Sequence, residues 1–209
     1  MTFFDINNIA FEIIGYKISY VESIGTLFGL LSVYFATKAN ILTWSTGIIN
    51  ELFLFILFFQ VQLYADMFLQ VYFFVVTIYG WYNWKQKPKL NSITSTNLNT
   101  KIWLASGIIV GTIIAGFLFA NIHLYLPHYF KTKAAFPFAD SFVMVLSIIS
   151  TVLLAQKKME TWYLWFTVDM VCVFLFFKKG IAFLALEYLV FLGLATYGLL
   201  NWKKQLHNG

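Results

Sequence analysis

YGWYNWKQ at residues 79–86 and YGLLNWKK at residues 197–204 close two apolar runs in the same way, 118 residues apart. The chain slides onto itself at that offset without a gap. Thr43 and Trp44 fall on Thr161 and Trp162, and LFF at 57–59 falls on LFF at 175–177. Glu22 and Ser23 fall on Asp140 and Ser141, and Glu51 falls on Asp169. Segment 20–86 therefore matches segment 138–204, three apolar runs against three.

Those runs decide the fold class. Of 209 residues, 60% are hydrophobic and 11% charged, against about a quarter charged in soluble domains. A membrane-crossing helix needs about 20 mostly apolar residues. Seven runs qualify, at roughly 20–37, 41–60, 66–84, 102–120, 138–156, 160–178 and 181–202. The expected fold is an all-α, multi-pass membrane protein. Its first three spans (20–86) and last three (138–204) form repeats. Residues 87–137 carry a polar linker, a linking span and a loop on the opposite side, and 205–209 form a tail. Three spans plus one return the chain to its starting side, so the repeats run parallel about an axis along the membrane normal. In residues 1–19, Phe3, Phe4, Ile6, Ile9, Ala10, Ile13 and Ile14 recur near helical spacing, which predicts an amphipathic helix at the interface. KQKPKLNSITSTNLNTK, residues 85–101, has no apolar period and reads as a loop. Residues 1–20 lack the basic start and small-residue cleavage site of a signal peptide.

All fourteen basic residues are lysines and give a net charge of +5. Because they flank the spans, they report topology rather than nucleic-acid binding. Lys38, Lys85, Lys87, Lys89, Lys101, Lys157, Lys158, Lys203 and Lys204 fall on one side. Lys17, Lys131, Lys133, Lys178 and Lys179 fall on the other. Nine against five places the first side in the cytoplasm of an inner membrane, with the N-terminus outside and the C-terminus inside.

Ionisable groups inside a bilayer are costly, by roughly 2.5–3.5 kcal/mol or more at mid-helix, and mark functional sites. Glu51 and Asp169 lie mid-span and Glu187 about a third of the way along the last span, with no mid-span lysine to match them. Each is either a protonated carboxyl bonded to a neighbouring oxygen or part of a site. WYLWFTVD places Trp162, Trp165 and Asp169 on one helix face. The equivalent helix presents Trp44, Ile48 and Glu51, with Asn50 adjacent. Indole faces attract cations, so two such helices suit a flat, positively charged heterocycle. Trp81, Trp84, Trp103 and Trp202 fit an interfacial aromatic belt. Trp44 and Trp162 fit belt and pocket equally, while Trp165, one turn deeper, favours the pocket. Gln70 can read a hydroxyl or ring amide. Asp66 reads as an N-cap, and Asn83 and Asn201 as capping or interhelical groups. His123 and His128 have no ligand-spaced partner, and the lone Cys172 supports neither a disulfide nor a thiolate cluster, so no metal or cofactor is expected. The phosphate-cradling G-x-x-x-x-G-K-[ST], H-E-x-x-H and G-x-S-x-G signatures are missing. The chain reads as a transporter, not an enzyme.

ILTWSTGIIN, LYADMFLQVYFF, YGWYNW, WYLWFTVD and KKGIAFLALEYLVFL followed by YGLLNW cover nearly the whole chain, and together they resemble the PnuC family of vitamin-precursor transporters. The resemblance implies a three-plus-one-plus-three fold like that of full-length SWEETs and a homotrimer. It implies facilitated diffusion of nicotinamide riboside, trapped by a separate cytoplasmic kinase. The family's binding residues carry over to Trp44, Asn50, Gln70, Trp162, Trp165 and Asp169; Glu51 and Glu187 are added on their own chemistry. Related subfamilies carry thiamine or riboflavin. The pyridinium of nicotinamide riboside and the thiazolium of thiamine both suit an acidic pocket, whereas uncharged riboflavin suits it less. A proton carried by Glu51 or Asp169 is the remaining alternative.

Overall fold

The structure, a computed structural model, describes residues 3–13, 15–61, 64–86, 92–128, 133–178, 180 and 182–208, with the side chains of 64–66, 182 and 208 excepted. Asp66 as an N-cap lies outside the described side chains. Lys87, Lys89, Lys131 and Lys179 of the charge count lie outside the described residues altogether.

Seven helices follow one another: α1 (Tyr20–Thr37), α2 (Leu42–Gln60), α3 (Tyr64–Gln86), α4 (Leu98–Tyr125), α5 (Pro137–Ala155), α6 (Glu160–Lys178) and α7 (Ala182–Asn208). Six of them are long and apolar enough to cross a membrane. The other, α3, has the length but carries Gln70 and Thr77, both of which it buries. Two expectations shift at the ends. Asn97 caps α4 by accepting from the Thr100 N–H at 2.8 Å, so the polar linker stops earlier than its composition suggests. The tail expected at 205–209 is helical as far as Asn208.

The expected N-terminal helix is a correction. Residues Ile9–Ile13 (β1) and Tyr16–Ser19 (β2) form an antiparallel hairpin instead. Ile9, Phe11 and Ile13 alternate with Ala10 and Glu12, which fits a strand as well as a helix. Gly15, at φ +78°, makes the turn, a backbone shape glycine adopts without penalty. Ser19 then caps α1 by accepting from the Glu22 N–H.

The helices pack in a cycle. α1 touches α2, α2 touches α3, α3 touches α5, α5 touches α6, α6 touches α7, and α7 returns to α1. The fourth helix packs against α5 outside this cycle, and Gly116 is its one buried residue. One end of the bundle, the turn end, gathers the α1–α2 and α5–α6 turns with the last residues of α3 and α7. The hairpin lies at the other, far end.

The two turns at the turn end are built alike. Ala39 (φ 51°) and Lys157 (φ 52°) are left-handed and sit 118 residues apart. After α1 the Asn40 N–H donates to Phe35 O and the Ala39 N–H to Ala36 O; after α5 Lys158 donates to Leu153 O and Lys157 to Leu154 O. Both are left-handed helix stops that reuse terminal carbonyls. Carbonyls at these helix ends accept further bonds, because buried backbone groups are expensive to leave unmade. They find them across the bundle. Asn83 and Trp84 of α3 both donate to Ala155 O, at 2.8 and 3.1 Å. Asn201 and Trp202 of α7 donate to Thr37 O and Ala36 O, at 2.7 and 3.0 Å. The doubled NW pair thus ties α3 to α5 and α7 to α1.

Candidate functional site

Trp44 and Trp162 are both buried inside the bundle, not in a surface belt. Trp44 lies over a glycine of α3 and Trp162 over a glycine of α7. A Cβ built on Gly198 would stand 2.6 Å from the Trp162 ring, and one on Gly80 would crowd Trp44 as closely. The absent side chain is what lets each indole reach the bundle axis.

There the indoles meet the NW tryptophans. Trp44 stands edge-on to Trp84 at 5.1 Å, Trp162 edge-on to Trp202 at 5.6 Å, and Trp84 and Trp202 approach to 6.4 Å. Four indoles form one row from α2 through α3 and α7 to α6. The belt reading of Trp84 and Trp202 is therefore corrected: they are 4% and 0% exposed. Each indole N–H spends itself on a helix-terminal carbonyl, a bond the hydropathy pattern does not reveal. Trp81 and Trp103, at 38% and 78% exposed, do face outward. The Nε1 atoms of Trp44 and Trp162 are buried without a partner among the described residues.

The acids sit beyond this row. Glu51, two turns from Trp44 on α2, accepts from the Thr77 hydroxyl of α3 at 2.5 Å, and its other oxygen is buried without a partner among the described residues. Gly47 makes room for that approach, with Ser32, Thr77 and Glu51 around its Cα. Asp169, one turn from Trp165, is also buried. The residue 118 after Thr77 is Ala195, so the donor that serves Glu51 has no counterpart. No hydrogen bond reaches Asp169 among the described residues. Trp165 packs against both apolar clusters of the interior and joins the indole row to the layer of Val168, Cys172 and Tyr188.

The other expected site residues divide. Gln70 is buried on α3. Asn50 donates to Gly25 O of α1 at 2.8 Å and crowds Gly29, so it also holds α1 to α2. Glu187 is half-buried on α7, with Thr26 of α1 facing it, near the far end rather than beside the indoles. Since α2 touches α1 and α3, and α6 touches α5 and α7, Glu51 and Asp169 belong to separate walls of the cycle.

Two cavities, of about 680 and 440 Å³, lie elsewhere, the first along α4, α5 and the linker, the second at the turn end between Lys38, Lys157 and Gln205. Neither is lined by Glu51, Asp169 or Glu187. The linker held no signal in the sequence, yet it is docked. Met159 donates its N–H to Thr94 O and Thr94 donates to Lys157 O. Glu160 accepts from the Ser95 hydroxyl at 2.7 Å and the Thr96 N–H at 3.0 Å, and pairs with Lys101 at 3.1 Å. Among the described residues, no group of three His, Cys, Asp or Glu side chains is placed to hold a metal ion.

Residues 19–204 match the model of a family described as Nicotinamide mononucleotide transporter. The chain belongs to this family. Its resemblance to PnuC is equally direct. The Escherichia coli nicotinamide riboside transporter PnuC is 34% identical, over 97% of this chain and 94% of that one. The riboflavin/roseoflavin transporter RibM of Streptomyces davaonensis is 24% identical over 94% and 91%. A crystal structure of the vitamin B3 transporter PnuC superposes with a TM-score of 0.67, at 23% identity, covering 90% of this chain and 83% of that one. This PnuC-family chain is thus a multi-pass membrane protein of a transporter family, and its relatives are transporters rather than enzymes.

Proposed function

We propose that the chain carries a flat, cationic vitamin precursor, first of all nicotinamide riboside, into the cell by facilitated diffusion. The observation that carries this reading is Asp169: a buried carboxylate with no hydrogen-bonded partner among the described residues, one turn from Trp165, in a chain whose relative of 34% identity is a nicotinamide riboside transporter. A carboxylate in an apolar interior needs a cation, a proton or a polar neighbour, and a pyridinium ring beside an indole supplies the first. The binding residues are Trp44, Asn50, Glu51, Gln70, Trp162, Trp165, Asp169 and Glu187. The family description mentions a mononucleotide, but a phosphate beside these acids is repelled, which favours the unphosphorylated riboside and a separate kinase that traps it inside. Segments 20–86 and 138–204 are the two units of a three-plus-one-plus-three, SWEET-like bundle that assembles as a homotrimer. The turn end faces the cytoplasm, in keeping with the lysine count.

Calorimetry of the purified protein with nicotinamide riboside, thiamine and riboflavin tests this. Saturable binding of nicotinamide riboside, lost in Asp169→Ala and Trp165→Ala, is expected. Unchanged affinity in both variants sinks the site. Thiamine is the second reading, favoured by the acid at 169, which can bond an aminopyrimidine as well as face a thiazolium. Proton-coupled transport by Glu51 or Asp169 is the third. Uptake into liposomes that persists unchanged after an ionophore collapses the pH gradient rejects it.

A further inference from the structure

The repeats meet along two seams, α3 against α5 and α1 against α7, related by the 118-residue offset. They are not fastened equally. The α3–α5 seam has the Asn83 and Trp84 bonds to Ala155 O. It also has a bond deeper in, from the Tyr72 hydroxyl to Ile148 O at 3.0 Å. The Lys157 ammonium stands 4.3 Å from the centre of the Trp84 ring, a contact worth more where water is excluded. Two backbone bonds further tie the linker that leaves α3 to the turn that leaves α5, Thr94 with Lys157 and Met159.

Among the described residues, the α1–α7 seam has the first pair of bonds, from Asn201 and Trp202 to Thr37 O and Ala36 O, and towards the far end Thr26 of α1 faces Glu187 of α7. Where Tyr72 reaches across, the equivalent residue is Val190, which cannot donate, and where Lys157 covers Trp84 the equivalent is Ala39. At the far end this seam is bridged from outside the repeats. Tyr16 of the hairpin donates to Glu22 of α1 at 2.9 Å and stacks on Phe183 of α7 at 5.0 Å. So α1 and α7 are held at each end by a small separate latch, the far one made by Tyr16 and by Thr26 with Glu187.

We infer that the α3–α5 seam is a fixed hinge and the α1–α7 seam is the gate. The Asn201–Trp202 pair latches it at the turn end, and Tyr16 latches it at the far end. The inference rests on the transporter reading, which requires that a packed interior open to each side in turn. Releasing the turn-end latch breaks two side-chain bonds to backbone and parts Trp202 from Ala36, while α3 and α5 stay joined. Releasing Tyr16 together with the Thr26–Glu187 contact parts α1 from α7 at the other end.

Two cysteine pairs at equivalent positions test it in a Cys172→Ala background. Thr37→Cys with Asn201→Cys spans the gate, and Asn83→Cys with Ala155→Cys spans the hinge. Each removes one latch bond, so its reduced form is its own control. In liposomes, cross-linking the gate pair is expected to cut nicotinamide riboside uptake at least about tenfold, and cross-linking the hinge pair to leave it within about twofold, as for a motion that gates turnover. A hinge cross-link that blocks uptake, or a gate cross-link that does not, overturns the inference. Spin labels at the exposed positions Lys38 and Lys204, against Gln86 and Gln156, read the same motion without transport. Two distances across the gate and one across the hinge are expected; one fixed distance in both pairs, with and without nicotinamide riboside, overturns it. Wild-type liposomes without saturable uptake refute the transport reading instead, and the spin labels still decide the seam.

Discussion

Replacing Gly198 by alanine places a methyl group where the Trp162 ring now lies. The new Cβ would stand 2.6 Å from Cε3 and Cζ3 of the indole, where ordinary contact begins at 3.4 Å. The indole has little room to retreat, because Trp202 is packed edge-on against it and is fully buried. Overpacking of this kind costs about 1–3 kcal/mol. Alanine's better helix propensity returns up to about 1 kcal/mol. Gly193 lies on the same helix with nothing within 4 Å of its Cβ position, so Gly193→Ala keeps the propensity gain and meets no clash. Unfolding curves in detergent should place Gly198→Ala about 1–2 kcal/mol below wild type, and Gly193→Ala level with it or above. For a chain of this size that is a fall of about 2–4 °C per kcal/mol. Gly80→Ala, which crowds Trp44, should behave as Gly198→Ala does. A Gly198→Ala protein that melts at or above Gly193→Ala refutes the close seating of the indole.

Four further outcomes are expected. Thr77→Val removes the donor to Glu51 and should destabilise by about 1–3 kcal/mol, the cost of a buried polar group left unmet; in an Ala195→Thr background, where Asp169 regains an equivalent donor, ligand affinity measured by calorimetry should fall. Glu160→Ala should raise amide exchange at Thr96, whose N–H it accepts, while amides in the middle of α6 stay protected; unchanged exchange at Thr96 argues that the linker is not held there. The Tyr16 phenol is pushed up to about 12 by burial and by the carboxylate of Glu22. A folded pKa above the ordinary tyrosine value of 10.0 contributes stability that is present below pH 10 and lost as pH rises towards 12. Tyr16→Phe should flatten that part of the alkaline melting profile, and a profile that matches wild type there refutes the contact.

Hydropathy and the 118-residue offset made the helices legible because both depend on local composition. All seven runs appear as helices within a few residues. The left-handed positions 39 and 157, the Thr43 and Thr161 hydroxyls that donate to Ser32 O and Ser150 O at 2.9 Å, and the paired glycines 80 and 198 obey the same offset. What stayed illegible depends on partners distant in the chain. Trp84 and Trp202 have the sequence context of belt residues, and only the seam shows which carbonyl each indole finds. The N-terminal pattern satisfied two periods at once, and Gly15 decided for the hairpin. Glu51 and Asp169 were recognisable as costly, but that only Glu51 has a hydroxyl donor among the described residues depends on how α3 and α7 face them. The linker's polar residues gave no sign that Glu160 would collect them.

Four of the seven tryptophans stand in the single row from Trp44 to Trp162, at one end of the bundle and away from solvent. The molecule therefore carries its own optical probe. Near-ultraviolet dichroism from coupled indole transitions, and the wavelength of the fluorescence, report mostly on that end. Parting α1 from α7 there would admit water beside Trp202 and shift its emission to the red, whereas motion confined to the hairpin would leave the row's signal as it was.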